Sequence, residues 1–127
     1  MKRAAFVIVA IAIAVIAVNA FAQGGTKAAP KSTTIKGELV DLGCFMGHEA
    51  RGAKHKECAT KCIAGGMPMG ILTADGKLYV LTMSHDSPDA YNACKDLASK
   101  TVEVTGVVNE RAGVRSLDVE SAKPAAS

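Results

Sequence analysis

Four residues carry the most visible chemistry in this chain of 127 residues: Cys44, His55, Cys58 and Cys62. Three of them form His55-x-x-Cys58-x-x-x-Cys62. On a helix advancing about 100° per residue, Cys58 and Cys62 lie roughly 60° and roughly 20° from His55, so all three share one face. Cys44 ends the first apolar segment and is placed to fold over that face. Thiolate and imidazole suit Zn(II), Cu(I) or an iron centre, and the set predicts a soft-metal site with Cu or Zn ranked ahead of iron. The same thiols could instead do redox work, with Cys94 as resolving or structural partner. His48 is a further candidate, in a Gly-containing loop able to bend inward. Met67 and Met69 add soft sulfur nearby, although packing beside Pro68 is the simpler account of both.

A second reading uses all four cysteines as two structural disulfides. Four is an even number, and an oxidising compartment would favour bridges with three connectivities open. Cβ atoms four residues apart on a helix are roughly 5–6 Å from one another, and a disulfide wants about 3.5–4.5 Å. Cys58 and Cys62 would therefore pair with Cys44 and Cys94 rather than with each other. Each bridge would contribute about 2–4 kcal/mol and pin the Cys/His segment to its domain. The protein is then a binding module without a cofactor, its partner a protein or small ligand. The metal reading leaves Cys94 unpaired; the disulfide reading leaves His55 without a role.

The compartment follows from the first residues. Met1-Lys2-Arg3 is a positive start, residues 4–18 are all Ala, Val, Ile or Phe, and Ala20-Phe21-Ala22 ends the run in small residues. This is the pattern of a secretory signal, with cleavage expected after Ala22. The apolar run of fifteen residues is shorter than the roughly 20 that a spanning helix needs. A periplasmic or secreted protein without stable membrane insertion is expected, and no Cys follows the cleavage site to take a lipid. Cleavage removes Lys2 and Arg3 and lowers the net charge from +3 to +1. A near-neutral domain with no basic stripe and few aromatics excludes nucleic acid as an expected partner.

Residues 23–34 lack periodicity and predict a flexible leader, and 122–127 predict a disordered tail. The domain spans 35–121, with a Cys/His insertion at 43–67. Around the insertion the pattern is mainly β. Residues 35–42 form a first strand. Apolar runs at 70–73 and 77–82 flank Ala74-Asp75-Gly76, a hairpin signal. Ser87-Pro88 starts a helix that should bury Ala90, Ala93, Cys94 and Leu97, with Ser87 as N-cap. Strands follow at 101–108 and 114–119, with a turn at Arg111-Ala112-Gly113.

Five strands, with one helix between the third and fourth and a second in the insertion, have the order of an OB-fold. The fold class is all-β with one or two helices, and a partly open barrel would leave a strand edge available for pairing. The run Gly37-Glu38-Leu39-Val40-Asp41 with Cys44, then His55-Lys56-Glu57-Cys58-Ala59-Thr60-Lys61-Cys62, Gly66, Pro68 and Gly70, resembles a group of small exported bacterial OB-fold-like proteins. The resemblance covers nearly all of 35–121. It implies an OB-like barrel with a Cys/His insertion after the first strand, and it implies no activity.

Cys58-Ala59-Thr60-Lys61-Cys62 is also a C-x-x-x-C, similar to the spacing in copper-delivery proteins of cytochrome oxidase assembly and in the dinuclear copper site of oxidase subunits. The dinuclear pattern has a His four residues after the second Cys, where Gly66 stands here, while Met69 falls at its Met position. The missing His argues against a dinuclear site. His85-Asp86 is more simply a helix-start pair than a catalytic one. The sequence has no C-x-x-C-H for covalent haem, no phosphate-binding loop and no hydrolase signature, and nothing in it points to a conventional enzyme.

Overall fold

The computed structural model describes residues 30–126. The expected signal peptide and the first part of the expected leader lie outside the described residues. The elements run β1 (Ser32–Asp41), α1 (Leu42–His48), a 3-10 turn (Ala53–His55), α2 (Lys56–Ala64), β2 (Met69–Leu72), β3 (Leu78–Met83), α3 (Pro88–Cys94), a second 3-10 turn (Lys95–Leu97), β4 (Thr101–Arg111) and β5 (Val114–Pro124). The chain is β-rich, as expected, and the described residues carry three α-helices rather than the one or two expected.

The strands close into a barrel in the order β1-β2-β3-β5-β4. β1 pairs antiparallel with β2 at one end (Leu39 opposite Ile71) and with β4 along most of its length (Ile35 opposite Val104). β3 meets β5 in parallel, and β4 and β5 form a long antiparallel hairpin. Every described strand therefore has two partners, and the expected open edge is absent among the described residues. Closure removes the exposed row of N–H and C=O groups on which another chain could template itself.

Two boundaries differ from expectation. β1 begins at Ser32, inside the expected leader, because residues 32–34 pair with Val107, Gly106 and Thr105. β5 runs to Pro124, inside the expected tail, because Val102 to Val104 pair with Pro124 to Ala122. Polar composition suggested chain ends. The long β4, however, offers hydrogen-bond partners along its whole length, and those backbone groups are satisfied by extending its neighbours.

Alternation along the strands sends Leu39, Ile71, Leu81, Val102, Val104, Leu117 and Val119 into one interior cluster. Ala59 and Ile63 of α2 join it, as do Cys94 and Ala98 beside α3. The β2–β3 hairpin turns where Asp-Gly predicts it: Gly76 has φ 81°, and the Thr73 amide donates to the Lys77 carbonyl at 2.9 Å. Pro88 begins α3 as expected, but Ser87 makes no side-chain capping bond. Ala93 is exposed, so Cys94 is the fully buried residue of that helix. No helix among the described residues is long and apolar enough to cross a membrane.

Candidate metal centre

The site is built where β1 ends and α1 begins. Asp41, the last residue of β1, is fully buried. One of its oxygens, Oδ1, accepts the Cys44 amide N–H at 2.8 Å and so caps α1. A side-chain acceptor at the N-cap satisfies one of the amides that a helix start leaves without a partner. This short helix opens the Cys/His insertion, ahead of the helix expected there around Cys58 and Cys62. Gly43 and Gly47 lower its intrinsic helix propensity, and the capping carboxylate and packing against β1 supply what propensity lacks. α1 closes at Glu49, in the left-handed conformation (φ 54°), whose amide donates to the Phe45 carbonyl at 2.8 Å.

The chain then returns. The Gly52 amide donates to the Glu38 carboxylate on β1, and the 3-10 turn brings His55 back over the strand end. His55 Nε2 lies 3.0 Å from Asp41 Oδ2. An ionised carboxylate only accepts, so Nε2 is the donor in this contact. The spacing that put His55, Cys58 and Cys62 on one helical face is realised in two pieces, with His55 in the 3-10 turn and the cysteines on α2. Ala59 and Ile63 anchor α2 in the core, and the next positions round, Cys58 and Cys62, turn toward α1. The end of α2 is tied to the start of α1: the Met67 amide donates to the Cys62 carbonyl at 2.9 Å, and the Leu42 amide donates to the Pro68 carbonyl at 2.9 Å.

The result is a trio of thiols. Cys44, Cys58 and Cys62 hold their Sγ atoms within 4.8 Å of one another, and so do the ligand atoms of Asp41, Cys44 and His55. Cys44 belongs to both groups. The Cys58 and Cys62 sulfurs are 4.0 Å apart. Two metal–sulfur bonds of about 2.3 Å at a tetrahedral angle span about 3.8 Å, so this pair has the separation a shared ion requires. Of the predicted ligands, Cys44, Cys58 and Cys62 thus form one group, and His55 joins Cys44 only in the second group, with Asp41. His48 is exposed in the last turn of α1 and joins neither group. Met69 is fully buried in β2, whereas Met67 lies at the surface.

All four cysteines are free thiols. Cys94, the fourth cysteine that the two-disulfide reading needs, is fully buried, and its thiol donates to the Ala90 carbonyl of its own helix at 3.4 Å. It stands outside the thiol trio, so the expected bridge from the Cys/His segment to Cys94 is not formed.

The electrostatics favour a cation. The hydrogen bond to Asp41, burial and the neighbouring thiols push the Cys44 thiol up to about 12. Burial and the contact with Cys58 also raise Cys62. Thiolates packed beside a carboxylate repel one another until a bound cation offsets the charge, so metal loading would release protons. Burial alone raises Cys94 to about 11. Thiolate fraction and access together set alkylation rate. In the metal-free protein iodoacetamide should therefore modify exposed Cys58 first, Cys44 and Cys62 more slowly, and Cys94 only on unfolding; peptide mapping over time checks this order. No protein-family model matches the chain, and no curated protein matches it.

Sequence reasoning missed Asp41. The signal was present, since Asp-x-x-Cys directly after a strand is an N-cap pattern, but only the fold shows the same carboxylate holding His55.

Proposed function

We propose that this is an exported accessory protein that binds one soft transition-metal ion, Cu(I) or Zn(II), through Cys44, Cys58 and Cys62, with His55 as fourth ligand through Nδ1. The observation that carries the reading is the convergence of three free thiols from two helices within 4.8 Å, beside a histidine oriented by a buried carboxylate. A ligand histidine whose second nitrogen donates to a carboxylate is the usual arrangement at protein metal sites. The ion would supply the positive charge that stabilises adjacent thiolates. The chain supplies the cage: Asp41 fixes the ring and caps the helix of Cys44, and the core side of α2 holds the other two sulfurs.

Export rests on the signal pattern of residues 1–22. The OB-fold assignment rests on the closed order of five strands with a helix between β3 and β4. Membership of the exported OB-like group rests on the Cys44, His55, Cys58 and Cys62 pattern.

The 4.0 Å separation of Cys58 and Cys62 also favours a second reading, thiol redox. Closing that gap to the roughly 2.05 Å of a disulfide would need α2 to unwind locally, because the helix holds the two Cβ atoms too far apart for a bridge. Native mass spectrometry of the reduced domain after incubation with Zn(II) or Cu(I), followed by X-ray absorption, separates the two. One ion per chain with sulfur scattering near 2.3 Å supports the metal site. A reduced protein that retains neither ion, yet readily forms a Cys58–Cys62 disulfide, supports redox work and overturns the metal reading.

A further inference from the structure

Met67 stands beside the site without an assigned role. It follows α2 after Gly65 and Gly66, and its amide N–H donates to the carbonyl of Cys62. Its side chain crosses to the start of α1 and lies against Gly43, the residue before Cys44. A β-carbon built on Gly43 would sit 2.6 Å from both Sδ and Cε of Met67. That separation is too short for any real side chain, so glycine at position 43 makes the cradle in which the thioether rests. Met67 is therefore held by its backbone to one thiol ligand and by its side chain to the neighbour of another. It is also 37% exposed, unlike Met69, which the barrel core accounts for completely.

We propose that Met67 is a specificity-determining residue of this centre, its thioether favouring Cu(I) over Zn(II). The proposal rests on the metal-site reading and names its ion. A thioether is a soft, uncharged donor. It binds Cu(I), which accepts low-coordinate sulfur sets, and contributes little to Zn(II), which is satisfied by thiolate and imidazole. Packing alone also places methionines against backbone, and the two roles differ in one property. Packing needs the apolar volume; selectivity needs the sulfur.

Met67→Leu separates them, since it keeps the volume and removes the donor. The affinities of the reduced domain for Cu(I) and Zn(II) would each be measured by competition with a chromophoric chelator. The expected result is a fall in Cu(I) affinity of about tenfold or more, with Zn(II) affinity held within about twofold. Gly43→Ala should do the same by displacing the thioether while every proposed ligand stays. Circular dichroism and the unfolding midpoint check that both variants fold. Equal Cu(I) affinity in the parent protein and folded Met67→Leu overturns the proposal, and so does an equal loss for both ions. A parent protein that binds neither ion sinks the metal-site reading itself, a different outcome from a bound ion indifferent to Met67.

Discussion

Replacing Cys58 or Cys62 with alanine should weaken binding of the soft metal by more than about a hundredfold. Removing a group that merely supports a ligand already costs about 10–100-fold in metal affinity, and a ligand is worth more. The trio has no spare among the described residues: Cys94 stays in the core, and His48 joins neither ligand group. Cys58 is exposed, so Cys58→Ala leaves the core intact, and its unfolding midpoint should match the parent's in the absence of metal. Chelator competition on the reduced variants makes the measurement. Unchanged affinity in both single variants would remove these residues from the site.

Asp41→Ala should destabilise the metal-free domain by about 3 kcal/mol. It deletes a helix cap, worth about 1 kcal/mol. It also leaves the His55 ring N–H without its acceptor in a part-buried place, at about 1–3 kcal/mol. Asp41→Asn keeps an oxygen for the Cys44 amide but sets an NH2 group or a weaker acceptor against His55. Its stability loss should be smaller, while its metal affinity falls about 10–100-fold, as for other losses of a ligand's support.

The pH dependence follows from the same carboxylate. Burial pushes Asp41 up, but the Cys44 amide and thiol and His55 outweigh it, and the net shift is below the usual value of 3.8. A carboxyl lowered by folding stabilises the native state fully above its unfolded value. That contribution is lost as the pH falls from near 4 through the lower native value. Urea midpoints of metal-free parent and Asp41→Asn should therefore converge as the pH is lowered from 6 to 3. A gap between them that stays constant over this range would show that the charge of Asp41 contributes no stability.

Much of this protein was legible because the signals are local. Strand alternation, the Asp75-Gly76 turn and Pro88 at a helix start each act through backbone preferences within a few residues. Cys58 and Cys62 could be paired from sequence for the same reason: a spacing of four on a helix sets direction without help from the fold, whereas His55 lies in the 3-10 turn before α2. Other features depend on segments that meet only in three dimensions. The pairing of β1 with both β2 and β4 closed a barrel that the sequence left open, because a strand's own residues do not say how many partners its edges will find. Ser32 to Thr34 and Ala122 to Pro124 look like loose ends, and they are ordered only because β4 runs alongside both. Cys94 was legible both as a buried position of its helix and as a bridge or resolving partner for the Cys/His segment, and the packing of α3 against the barrel decides for the core.

Asp41 marks the boundary between the two kinds of information. Its identity and its place at the end of an apolar strand are in the sequence. Its function depends on a loop that brings His55 back, fourteen residues later, onto an oxygen already shielded from water. Burial makes that hydrogen bond strong and its loss costly, and burial is a property of the assembled fold, not of any one stretch of chain.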